Sequence, residues 1–163
     1  MTLAEAAAEA DALAEQGEER KLAELRGQFD EEVEHAARSK DYRERAVAYR
    51  AIAQFRYRQK TELLRRGLED ESPACRGSAL LSLERLSREH PGVVNGFRPL
   101  LHEMVARDGN EAVRRLAVAS LKNGSSDRAT IQLLDGLAAD DEQPGELREL
   151  AAKVAQALRR KSR

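Results

Sequence analysis

The chain has 163 residues, of which 35% are charged, 41% hydrophobic and only 4% aromatic, with no tryptophan and a formal net charge of −1. That length suits one domain of ordinary size, and the balanced charge argues against a bulk nucleic-acid or membrane-surface binder. Ala, Leu, Glu and Arg dominate while Val, Ile, Tyr and Phe are too sparse for several strands, so the chain reads as all-helical.

In chain order, residues 2–16 form an alanine-rich stripe of Leu3, Ala6, Ala10 and Leu13, a weak face that Gly17 breaks or frays. From Glu18 the pattern strengthens, with Leu22, Leu25, Phe29, Val33 and Ala36 on one helical face. Ser39 or Asp41 can cap the next helix. Residues 42–68 place Ala48, Ile52, Phe55 and Leu63 on one face. They read as one long helix or as two with a tight bend near 56–59, with no breaker before Gly67. Ser72 and Pro73 restart a helix that runs to about Arg88. Residues 89–96 read as a loop leading into Phe97, Leu100, Leu101, Met104 and Val105, with Pro99 marking a kink or a late start. Further helices are expected over 111–122, around Ile131, Leu134 and Leu137, and from Leu147 onward. Asn123–Gly124 is expected to close one helix, with Ser125, Ser126 or Asp127 capping the next.

One phrase occurs twice. Residues 70–85, DESPACRGSALLSLER, and 108–123, DGNEAVRRLAVASLKN, align Asp70 with Asp108, Arg76 with Arg114, Ala79 with Ala117, Ser82 with Ser120 and Leu83 with Leu121. Arg148 and Ala151 form a looser copy, and Arg45, Ala48 and Ile52 an upstream one, so the arginines fall at intervals of 31, 38 and 34. A period in this range with two helices per unit indicates a helical solenoid. The small Ala79 and Ala117 let helices approach, the leucine four residues later fills the same face, and the turn aspartates are expected to cap the second helix. The arginines are expected to satisfy turn carbonyls or that aspartate, and Ser82 and Ser120 to bond back to their own preceding turn.

This pattern resembles the HEAT repeat, including its short bacterial PBS-lyase HEAT-like form, over 57–123 and onward over 124–160; it does not cover 1–37. The resemblance implies a right-handed α-solenoid of three to four helix pairs over 18–160. Residues 18–37 would form a capping helix, 1–17 an Ala-rich N-terminal helix and 161–163 a basic tail. It also implies that first helices line the convex side and second helices the concave side, with the turn Asp and the Arg linking neighbouring repeats.

Chemistry-bearing patterns are missing. His35, His90 and His102 are scattered and Cys75 stands alone, so no metal site is expected. Cys75 reads as a small buried thiol. No Gly-rich phosphate loop and no G-x-S-x-G occurs, the carboxylates at the turns are explained by capping, and no catalytic residue or cofactor is assigned. There is no run of about 18 apolar residues, no signal-type start and no second cysteine, which points to a cytoplasmic protein without membrane contact. The marked feature is charge order. Residues 1–36 hold eleven acids and three bases, residues 37–66 three acids and ten bases, and the rest fifteen of each.

The expected function is a non-catalytic scaffold, not an enzyme, that binds a protein partner on the concave second-helix face through Arg85, Arg115, Lys122 and Lys153. Those four lie off the Ala–Leu face. The alternative is nucleic-acid binding through Arg43, Arg50, Arg56, Arg58 and Lys60, interleaved with Tyr42, Tyr49, Phe55 and Tyr57, a mixture suited to phosphates and stacked bases. Against it stands the option that the acidic N-terminal helix lies on this basic segment and neutralises it. The oligomeric state is left open.

Overall fold

In a computed structural model describing residues 1–162, all regular structure among the described residues is helical. Nine helices follow one another there: α1 (Leu3–Glu15), α2 (Glu19–Ala36), α3 (Tyr42–Gln54), α4 (Thr61–Leu68), α5 (Pro73–Ser87), α6 (Pro91–Arg107), α7 (Glu111–Leu121), α8 (Arg128–Ala139) and α9 (Gly145–Lys161). They form two compact units, one ending at Leu86 and one beginning at Ser87.

In the first unit α1 packs on α2 and α3, and α2 on α3. Helix α1 is formed along its length. Thr2 and Glu5 make a reciprocal capping box, Leu3, Ala6, Ala7 and Ala10 are buried, and Gly17 at φ 72° ends the helix. Segment 42–68 is two helices, separated at Phe55–Lys60. There Arg56 takes φ 60°, a left-handed conformation uncommon outside glycine. Gly67 is no breaker but a packing residue of α4: a Cβ there would lie 2.7 Å from Ala79 Cβ and 2.9 Å from the Tyr49 ring. Alanine and glycine thus set the close approach of α4 to α5 that the small Ala79 suggested.

Helices α3 and α5 run parallel. Cys75 Sγ lies 3.2 Å from Tyr42 O, and seven residues on, Ser82 Oγ lies 2.5 Å from Tyr49 O. Ser82 corrects one expectation. Its hydroxyl does not return to its own helix but enters α3, donating to Tyr49 O and accepting from Ala53 N–H at 3.2 Å. Ser120 does bond its own turn, at Leu116 O, 2.9 Å away. The same residue type behaves differently because Ser82 is pressed against a neighbouring helix whose backbone offers its buried hydroxyl both an acceptor and a donor.

In the second unit α6 packs on α7, α8 on α9, and α7 on α9. Residues 91–96, expected as a loop, are the start of α6. Pro91 sits at the first turn, where its fixed φ favours helix, and Val94 is buried, so packing overrides the poor propensity of the glycines. Pro99 lies inside this helix. Helices α7 and α9 are also parallel: Arg115 meets Glu146 near their N-terminal ends, and Lys161 meets Lys122 O and Gly124 O at their C-terminal ends. Lys161 was expected in a basic tail; its ammonium bonds those two carbonyls at 2.5 and 2.8 Å. Arg163, the end of that expected tail, lies outside the described residues.

The candidate functional surfaces

The repeated arginines all work on backbone at helix ends. Arg45 binds Asp70 with both sides of its guanidinium, at 2.9 and 3.1 Å, and donates to Ser39 O and Lys40 O. Arg76 donates to Asp70 O and Glu71 O, Arg114 to Val105 O at 2.8 Å, and Arg148 to Ala138 O. The aspartates were expected to cap the following helices. Asp70 instead turns the chain by accepting from Ser72 N–H, and Asp108 does the same for Asn110, whose own side chain caps α7. Two residues of turn separate each aspartate from the helix start, so its carboxylate reaches the turn's N–H first. The Arg45–Asp70 side chains are only 12% and 7% exposed. Burial pushes the Asp70 carboxyl up, but Arg45 and the Ser72 N–H outweigh it and hold the group below its usual range.

The expected partner-binding residues divide. Arg85, in the first unit, is committed to Glu15 of α1 at 2.8 Å. Arg115 on α7 pairs with Glu111 at 2.7 Å and approaches Glu146 of α9 at 3.6 Å. Lys122 at the end of α7 and Lys153 on α9 are exposed. The parallel α7 and α9 therefore bring Arg115, Lys122 and Lys153 onto two helices packed against each other, while Arg85 is engaged elsewhere.

The nucleic-acid set is dispersed by pairing. Arg56 binds Asp11 at 2.8 Å and Glu15 at 3.3 Å, and folds back onto Ala53 O. Lys60 lies between Asp30 and Glu34, at 2.9 and 2.7 Å. The ammonium of Lys60 holds Glu34 below its usual pKa. The acidic helices thus sit on the basic segment. The aromatic residues were expected to alternate with the arginines as a stacking surface, and here too the structure differs. Tyr49, Phe55 and Tyr57 are buried, with Phe29 stacked on Phe55 and Tyr57 donating to Arg26 O at 2.6 Å. Tyr42 alone of these four is exposed, with Arg43 over its ring. Of the remaining bases, Arg43 pairs with Asp41, Arg50 is half-buried and Arg58 is exposed. Tyr42 and Tyr49 lie two turns apart on nearly one face of α3, but Tyr42 stands at the first position of the helix and stays exposed, while Phe55 and Tyr57 follow its last residue and turn inward.

A cleft of about 610 Å³ lies between α2 and α4, lined by Asp30, Glu34, Arg38, Lys60, Glu62 and Arg66 among others. Its two closest carboxylates converge on Lys60. Glu34 is thereby kept ionised, the opposite of what a general acid needs near neutral pH. No cluster of His, Cys, Asp and Glu that could hold a metal occurs among the described residues. Cys75 is buried, and burial pushes its thiol up, away from the reactive thiolate. No helix among the described residues is long and apolar enough to cross a membrane.

Composition alone did not reveal Asp11 and Glu15 as partners of Arg56 and Arg85. The signal was present in the opposite charges of 1–36 and 37–66, but not the pairing. No protein family, curated protein or solved structure matches the chain.

Proposed function

We propose that the protein is a non-catalytic binding scaffold, built of HEAT-like helix pairs in a right-handed solenoid, that holds a protein partner on its second helices. The observation that carries this reading is the parallel packing of α7 and α9, the two helices that carry Arg115 and Lys153, with Lys122 at the end of α7. Their spacing off the buried Ala117, Leu121, Ala151 and Val154 leaves them free of the core while their helices stay rigid. Rigid helices lose little entropy when a partner docks, so complementary charge converts into affinity. Nucleic-acid binding through 42–60 has less support, since Arg56 and Lys60 already carry carboxylates.

The test is capture of partners by the purified chain, identified by mass spectrometry, with Arg115→Glu, Lys122→Glu and Lys153→Glu as the comparison. Loss of the captured protein with helicity unchanged supports the reading. The same protein captured equally by the reversed chain rejects this face.

A further inference from the structure

Helix α1 is fastened at one end and under-filled at the other. It carries four acids, Glu5, Glu9, Asp11 and Glu15, and no base. It buries one leucine and three alanines. Its orientation follows from two contacts. Thr2, Leu3 and Ala4 lie beside Arg43, Glu44 and Val47 at the start of α3, and Asp11 meets Arg56 just past its end, so α1 runs parallel to α3. At the C-terminal end charge does the holding: Arg56 binds Asp11 and Glu15, and Arg85 of α5 binds the same Glu15 at 2.8 Å. Arg56 reaches that position from a left-handed backbone conformation that a non-glycine residue adopts only when its surroundings enforce it. At the N-terminal end, Leu3 and Ala4 leave a depression of about 480 Å³ against Ala36 and Val47, rimmed by Glu32 and Arg43.

We propose that the groove over α2 and α3 now covered by α1 is a docking site for an acidic amphipathic helix of a partner protein, with α1 as the intramolecular occupant that this helix displaces. Charge complementarity names the ligand's polar side, since carboxylates one helical turn apart, as in Asp11 and Glu15, match Arg56 and Arg85. The open depression names its apolar side: a helix with a leucine where α1 has Ala4 fills space that α1 leaves empty. The turn at Gln16–Glu18, with Gly17 at φ 72°, is the joint about which α1 departs. This surface belongs to the first unit and does not rest on the α7–α9 reading.

The experiment uses the full chain carrying Asp11→Lys and Glu15→Lys, and two labelled peptides: residues 1–17 as they stand, and the same peptide with Ala4→Leu. Amide protection across α1 is expected to fall about tenfold in this chain. The opened chain binds the parent peptide, the unsubstituted chain does not, and the leucine peptide binds about threefold tighter or more. Raising salt from about 0.1 M to about 1 M weakens both complexes. Adding Arg56→Glu and Arg85→Glu to the opened chain restores the clamp with reversed signs, recovers α1 protection and abolishes peptide binding. The proposal is overturned if α1 stays protected in the doubly substituted chain, if the opened chain binds neither peptide, or if leucine brings no gain. A stable dimer of the opened chain that takes up neither peptide assigns the groove to a second copy and equally overturns it.

Discussion

In the unit that ends at Leu86, Arg45 closes on a carboxylate; in the unit that begins at Ser87, its counterpart Arg114 closes on a carbonyl. The contrast is one of degree, since Arg76 in the first unit also closes on carbonyls, those of Asp70 and Glu71. The first unit is tied by charge pairs between helices: Arg45–Asp70, Arg56 and Arg85 with Glu15, Lys60 with Asp30 and Glu34. The second has charge pairs between helices too, Arg115 with Glu146 and Arg159 with Asp135, but they are more exposed than Arg45–Asp70, and cations on backbone oxygen, Arg114, Arg148 and Lys161, and short polar chains such as His102 to Thr130 to Asp127 add to them. A carbonyl accepts at any pH and carries no net charge to screen. A carboxylate must be ionised, and its pairs fade with salt. One repeated arginine therefore gives two kinds of cohesion, according to what the neighbouring turn offers.

The largest blow to the first kind is Asp70→Asn. It leaves the Arg45 guanidinium, 12% exposed, with only the solvent-exposed Glu71 at 4.0 Å as counter-charge and is expected to cost about 3 kcal/mol. Hydrogen exchange resolved by residue should place the loss in 1–86. Next comes Gly67→Ala, whose new methyl meets Ala79 and Tyr49 at under 3 Å; about 2 kcal/mol is expected, read from protection of α4 and α5. Arg114→Met in the second unit removes one charge-assisted bond and should cost about 1.5 kcal/mol in urea unfolding followed by exchange. A loss equal to that of Asp70→Asn would erase the distinction between the units.

The smallest effect separates the units by pH. Asp70 and Glu34 are held below their usual values, by the Arg45 pair and by Lys60. Their stabilisation is complete above the unfolded carboxylate range of about 4 and is lost as pH falls through their lower folded values. In the second unit burial keeps His102 below its usual value, so its contribution is complete above about 6.5 and lost as pH falls through its folded pKa. Between about pH 6.5 and 5 only the second unit is expected to soften, by under about 1 kcal/mol. The tyrosines, at 42, 49 and 57, all report the first unit, so their fluorescence should stay flat over this window while exchange in α6 and α8 quickens. His102→Gln should remove that quickening.

Much of the helical layout could be read directly, because capping and periodicity are local. Asp41 and Asp127 cap α3 and α8 as their positions suggested, and the bend near 56–59 is present. The start of α6 could not be read, because Gly92 and Gly96 argue against helix and only the burial of Val94 argues for it. The candidate surfaces were less legible. Lys122 and Lys153 are exposed, as residues off the Ala–Leu face should be, but Arg85 was not recognisable as a partner of Glu15, seventy residues away.

The amino-acid order settled that the chain is helical, that an arginine recurs at the start of alternate helices, and that an acidic segment precedes a basic one. Each follows from spacings of three and four residues or from plain charge, which need no knowledge of distant neighbours. Packing decided the rest. It put Tyr49, Phe55 and Tyr57 into the core, sent Ser82 into a neighbouring helix, and placed α1 over α3 so that Glu15 bridges Arg56 and Arg85. Those outcomes depend on which surfaces meet across 29 to 70 residues of chain, and no local preference encodes that choice.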